Sequence, residues 1–158
     1  MSTDSARVRT FATAVALVLG LAACSSSGDG DADAGSHAAD VSSAVCAKDA
    51  AAKKVDLPAG FPSDFPLPPG TILYSVDDRG KVDGIVVTGV TATDFKAVLA
   101  ALQKDLPAKG FRAENGETEP HDAESDWTSN GFQGRWAIRE IPQCAGDTLV
   151  NVVARATS

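Results

Sequence analysis

The side chains able to do chemistry in this 158-residue chain are few: three cysteines, two histidines and one dense run of carboxylates. Glu114, Glu117, Glu119, Asp122, Glu124 and Asp126 fall in one short stretch, with His121 in their midst. Carboxylate pairs can exchange protons with a substrate or hold Ca²⁺, but both tasks need a rigid, concave setting. The stretch Glu114–Asp126 reads instead as an exposed, solvated loop. A second acidic pattern, Asp29, Asp31 and Asp33 with Asp40 at the twelfth position, mimics a calcium loop. It places Ala34 where an EF-hand loop needs glycine and Asp40 where it needs a longer bidentate Glu, so it reads as linker. His37 and His121 both sit in polar segments, and neither has a second ligand at zinc-like spacing. The chain contains no G-x-S-x-G, S-x-x-K or H-E-x-x-H pattern and no phosphate-cradling glycine loop. The expectation is a protein with no catalytic residue, no metal and no cofactor.

Composition narrows the partners. Acidic residues number 21 against 14 basic, a net charge of −7. No basic surplus exists to replace the counterions on phosphates, which argues against a nucleic-acid partner. The length allows one ordinary domain of about 100–150 residues. The only long apolar run, Phe11 to Ala23, is shorter than the roughly 20 apolar residues a spanning helix needs. Preceded by a polar stretch with Arg7 and Arg9 and ending in small residues, it describes a secretory signal peptide. Val8 separates the two arginines, so no twin-arginine signal is implied.

The end of that run, Leu21-Ala22-Ala23-Cys24, resembles a bacterial lipobox. Leu21 fits the apolar site, Ala22 and Ala23 the small sites, and Cys24 the acceptor. The resemblance implies cleavage of residues 1–23 by signal peptidase II and diacylation of the Cys24 sulfur. It also implies a lipid-anchored protein at the extracytoplasmic face of the cell membrane. Two or three acyl chains give stable anchoring at about 0.8 kcal/mol per buried methylene, where one chain would not. Cleavage removes Arg7, Arg9 and Asp4, leaving the mature chain more acidic than the precursor. Anionic headgroups would repel such a chain, so the lipid must hold it.

Residues 24–44 then form a lipidated tether, rich in Ser, Gly, Asp and Ala, whose composition cannot repay the entropy of ordering. A flexible chain of about 20 residues spans only about 25 Å, which keeps the folded part near the bilayer. The folded part is expected over residues 45–158. With Cys24 given to lipid, Cys46 and Cys144 remain, and export to an oxidising compartment predicts a disulfide between them. In the chain-entropy model a loop of that length contributes about 4–5 kcal/mol.

Local patterns supply the elements. The proline-rich stretch LPAGFPSDFPLPPG (57–70) reads as an extended segment laid on the domain, its Phe61, Phe65 and Leu67 buried. Thr71–Val76 and Val82–Thr88 are rich in β-branched residues and suggest a hairpin turning at Asp77–Gly80. Thr91-Ala92-Thr93-Asp94 resembles a capping box, with Val90 and Phe95 in the staple positions. Phe95, Val98, Leu99, Leu102 and Leu106 then form one helical stripe, with Pro107 placing the end of the helix near Asp105. Gly110 suits the left-handed position beyond it, with Phe111 touching Leu106. A third strand over Phe111–Glu114 turns at Asn115-Gly116. Asn130-Gly131 closes the clearest hairpin, Ser125–Ser129 with Phe132–Ile141. That register sets Trp127 opposite Gly134 and Asp126 opposite Arg135, with Trp136 and Ile138 facing the core and Gln133 and Arg139 facing solvent. Leu149–Ala154 completes the order β-β-α-β-β-β-β, an α+β fold with a single amphipathic helix packed on one face of an antiparallel sheet.

Taken together, LPPG, the helix ending in LPAKGF, NGF, GRW and a P-x-C resemble small uncharacterised lipoproteins of actinobacteria. That resemblance covers Leu67–Cys144 loosely and implies no site residue, because the group has no established activity. The reading is a non-catalytic envelope lipoprotein whose small domain binds a partner protein or envelope ligand. The alternatives are a carrier or sensor of a small apolar ligand held between helix and sheet, and an enzyme with dispersed catalytic residues.

Overall fold

The computed structural model describes residues 41–157. The expected signal peptide, Cys24 and the tether as far as residue 40 lie outside the described residues. In chain order come a 3₁₀ turn (Val41–Ser43), α1 (Ala47–Ala50) running into a second 3₁₀ turn (Ala51–Lys53), β1 (Ile72–Asp78), α2 (Gly80–Asp83) and β2 (Ile85–Thr91). The long helix α3 (Phe95–Ala108) follows, then β3 (Arg112–Thr118), β4 (Asp122–Ser129), β5 (Phe132–Glu140) and β6 (Thr148–Ala156). The strands form one six-stranded sheet in the order β1-β2-β6-β5-β4-β3. Every neighbouring pair is antiparallel, so the fold is mixed α+β and mostly sheet. No helix among the described residues is long and apolar enough to cross a membrane.

Successive strand residues point to opposite faces of a sheet. On one face Val87, Trp127, Trp136, Ile138, Val150 and Val152 share a buried cluster with Phe95, Val98, Leu102 and Leu106 of α3. The other face carries a smaller cluster, in which Val90 and Leu149 meet Ala50, Ile141 and Cys144. β6 lies between β2 and β5 with apolar neighbours on both faces, which explains its nearly unbroken apolar run. The register around Asn130-Gly131 is the expected one, with Trp127 opposite Gly134 and Asp126 opposite Arg135.

The proline-rich stretch lies on the core through Phe61 and Phe65, but as successive turns and not as one extended segment. Phe61 N–H donates to the Pro58 carbonyl and Phe65 N–H to the Pro62 carbonyl. The Phe65 ring meets Phe111 at 5.3 Å and Trp127 at 5.2 Å, so the segment closes one side of the larger cluster.

Four local expectations are corrected. β1 and β2 are joined by the helical turn α2, so Val82 leaves the strand and stands 82% exposed. The cap of α3 is Asp94, whose carboxylate accepts from the Lys96 and Ala97 amides, while Thr91 ends β2 as a buried residue. α3 also runs through Pro107 to Ala108. A proline there lacks an amide only in the final turn, where the closing bonds come from later residues. Those are Gly110 N–H to the Pro107 carbonyl and Phe111 N–H to the Leu106 carbonyl, a Schellman pattern requiring the positive φ of Gly110. Last, Asn115-Gly116 is not a turn. It lies inside β3, where the pairing with β4 shifts register between Ala113 and Gly116.

Candidate functional site

Cys46 and Cys144 are bonded to each other across 98 residues, with their Cα atoms 5.5 Å apart. The bridge ties the beginning of the domain to the loop after β5. Around it the Ala47 N–H donates to Asp147 Oδ2 at 2.7 Å, and Gln143 Nε2 donates to the Val41 carbonyl at 2.8 Å. Residues 41–44, read above as the end of the tether, are thus hydrogen-bonded to this loop and pack through Val41 and Ala44 on the smaller cluster. Cys46, Cys144 and Asp147 bring their donor atoms within 4.8 Å of one another. Joined in a disulfide, the two sulfurs are not thiolates, and one carboxylate does not make a metal centre.

The stretch Glu114–Asp126 is not a loop. It occupies most of β3 and β4, with a tight turn in which the Glu119 N–H donates to the Asp122 carbonyl at 2.8 Å. The carboxylates divide by strand. Those of β3 are exposed on the sheet edge, while β4 sets Asp122, Glu124 and Asp126 against arginines of β5. Arg135 bridges Glu124 and Asp126, and Arg139 pairs with Asp122 at 3.2 Å. The hydrogen bond to Glu124, foremost, raises the pKa of the Arg135 guanidinium. These groups are only partly exposed, with Glu124 at 14%, so the expected solvent face is in fact a charge-paired ladder. Single-sequence reading placed Asp126 opposite Arg135 but missed Glu124, which reaches Arg135 diagonally.

His121 sits at the β3–β4 turn, where its Nδ1 lies 2.8 Å from Glu140 Oε2 and its carbonyl accepts the Glu140 N–H at 2.9 Å. Beside this pair opens a cavity of about 460 Å³ between the N-terminus of α3 and the β5–β6 loop. Asp94, Glu140 and Asp147 line it together with Phe95, Ile141 and Pro142. A second cavity, about 590 Å³, lies beside the disulfide and shares Ala145 and Asp147 with the first. Neither lining contains a serine or threonine hydroxyl or a free thiol. Sequence reading did not anticipate the grouping of Asp94, Glu140 and Asp147, which come from three distant parts of the chain.

The described residues form a mixed α+β domain, mostly sheet, with one disulfide. Compared with family models, curated proteins and solved structures, the chain matches none of them.

Proposed function

We propose that this chain is a lipid-anchored lipoprotein of the bacterial cell envelope whose folded part is a non-catalytic binding module. The observation that carries the reading is the use of its thiols. Cys46 and Cys144 are joined to each other, which leaves Cys24, in its Leu21-Ala22-Ala23-Cys24 setting, as the one thiol for acylation. A disulfide suits an oxidising extracytoplasmic compartment. Attached through Cys24, the domain sits on the outer face of the membrane as an acidic body that neither nucleic acid nor anionic headgroups attract. In this reading α3 is the one helix packed along the larger core, and the module resembles the small actinobacterial lipoproteins noted above.

The carrier reading places an apolar ligand between helix and sheet. That space holds the side chains of the larger cluster, and the two cavities open instead at the β5–β6 loop. Binding at that loop, to an envelope protein or a small ligand, therefore has the better support. Detergent-phase partition of the chain expressed in a bacterium tests the anchor. The intact protein should enter the detergent phase and Cys24→Ala the aqueous phase. A Cys24→Ala protein that stays with the membrane would overturn the assignment.

A further inference from the structure

We propose that Cys46, Cys144 and Asp147, whenever the two cysteines are thiols, form a three-ligand site for a thiophilic divalent cation such as Zn²⁺. The inference goes beyond the binding-module reading and does not depend on the membrane anchor. The donor atoms of these three residues lie within 4.8 Å of one another. Among the described residues no other three cysteine, histidine, aspartate or glutamate side chains converge so closely. Two thiolates and a carboxylate suit zinc, and a site with three protein ligands keeps a fourth position open for water. A tetrahedral centre with Zn–S of about 2.3 Å holds its sulfurs about 3.8 Å apart. Side-chain rotation reaches that separation from Cα atoms 5.5 Å apart.

Contacts other than the disulfide also hold the three ligands in place. Cys144 and Asp147 share one tight loop, in which Cys144 N–H donates to the Ile141 carbonyl and Asp147 N–H to the Cys144 carbonyl, both at 2.9 Å. Cys46 leads directly into α1, whose Ala50 is fully buried on the smaller cluster. Ala47 N–H donates to Asp147 Oδ2 at 2.7 Å. That bond orients the carboxylate beside the sulfurs, as a supporting hydrogen bond does for a metal ligand. All three residues line the cavity of about 590 Å³, so an ion and its water can reach them.

Oxidation state decides whether the site exists. Chains are synthesised in a compartment that keeps thiols reduced, so the dithiol form precedes the bridge. Binding of Zn²⁺ releases the two thiol protons, and the charge of the ion compensates two thiolates beside the Asp147 carboxylate. Closing the bridge moves two electrons from the two sulfurs into the S–S bond of a dithiol–disulfide oxidant, which takes up two protons and leaves as a dithiol. The ion is released at that step, because the thiolate and not the disulfide is the metal ligand. Bridge and metal are therefore mutually exclusive at Cys46 and Cys144.

Metal titration of the full-length chain carrying Cys24→Ala tests this, because Cys46 and Cys144 are then its only thiols. The chain is reduced with a phosphine, freed of it without air and titrated with Co²⁺ and then Zn²⁺. One Co²⁺ per chain with thiolate-to-cobalt charge-transfer absorption is expected, bleached by one equivalent of Zn²⁺ and absent from the oxidised chain. Zn²⁺ affinity should fall at least tenfold in Asp147→Asn, whose side-chain oxygen can still accept the Ala47 amide. Near-ultraviolet circular dichroism of the buried Trp127 and Trp136 shows whether the reduced chain keeps its fold. If it does not, equimolar Zn²⁺ should restore that signal, and less completely in Asp147→Asn. An oxidised dithiol added to the loaded chain should release the Zn²⁺ and re-form the bridge. No charge-transfer band, equal affinity in Asp147→Asn, two chains per ion, or equal binding by the oxidised chain would each overturn the site. None of these outcomes touches detergent partition, so the metal site and the membrane anchor fail separately.

Discussion

Gly134 shows how one residue sets the sheet around it. A Cβ built there would lie 1.8 Å from the Val153 carbonyl oxygen and 2.8 Å from Cζ2 of Trp127. The first atom is backbone and cannot turn aside. Gly134→Ala should therefore cost about 3 kcal/mol or more through overpacking, read as a lowered urea midpoint; an unchanged midpoint would show that β5 and β6 can part locally. Trp127 rests on that bare glycine, fully buried, its ring 5.4 Å from Phe111. Its indole N–H and that of Trp136 are buried without an acceptor among the described residues. Burying such rings favours folding by more than the one or two kcal/mol an unmet donor typically costs. Tyr74 makes a prediction about pH. Burial, opposed by a backbone hydrogen bond at Val45, raises its hydroxyl above the ordinary 10.0. The folded state thus keeps this proton where the unfolded chain has released it. Its contribution is fully present below pH 10.0 and is lost as pH rises through the folded-state value. Tyr74→Phe should show a shallower decline in urea midpoint above that pH than the parent, because the substitution removes this one ionisable hydroxyl. Parallel declines would remove Tyr74 from the account.

At the scale of elements, α3 was legible in its stripe and its Gly110 stop, and misread at its beginning and in the early end near Asp105. The spacing of Phe95, Val98, Leu102 and Leu106 depends only on helical periodicity, and all four are buried. Thr91 has a good capping side chain, but its backbone belongs to β2, paired with Thr148 of β6. Its hydroxyl donates to the Pro69 carbonyl at 2.9 Å instead. Pairing with a strand far along the chain overrode a local cap and moved the start of the helix to Asp94. Asp94→Ala should cost about 1 kcal/mol in unfolding free energy, whereas Asp94→Asn should cost only a few tenths; equal losses would mean the charge and not the capping geometry matters. β3 was misread for a related reason. Asn-Gly favours a tight turn, yet it tolerates a bulge equally well. The β4 edge left open by the Asn130-Gly131 hairpin supplied partners for β3 on both sides of the irregularity at Glu114-Asn115.

Over the whole molecule, the disulfide decides how the beginning of the domain is held. It closes a loop of 98 residues and fixes α1 over the smaller cluster, where Ala50 is fully buried. Cross-linking limits the unfolded ensemble, so the double variant Cys46→Ala, Cys144→Ala should lose about 2–5 kcal/mol. Thermal unfolding by circular dichroism should then fall by about 10 °C or more. A smaller shift would mean that the Ala47–Asp147 and Gln143–Val41 hydrogen bonds hold the segment without the bridge. The acidic charge is divided on the same scale. Part of it is neutralised in the β4–β5 ladder, part lies exposed on β3, and three carboxylates line one cavity.

By itself the sequence determined what neighbours along the chain or simple counting can settle. These are the stripe of α3, the Gly110 ending, the Asn130-Gly131 hairpin with its Trp127–Gly134 register, and a pair of cysteines once Cys24 is set aside. Only the tertiary structure decided that β6 lies in the middle of the sheet, that the acidic stretch is two paired strands, and that Asp94, Glu140 and Asp147 line one cavity. Such features depend on which distant strand edges find each other. Pairing energy is nearly the same for many registers until a buried face selects one, and that selection is made by the assembled core rather than by any short segment.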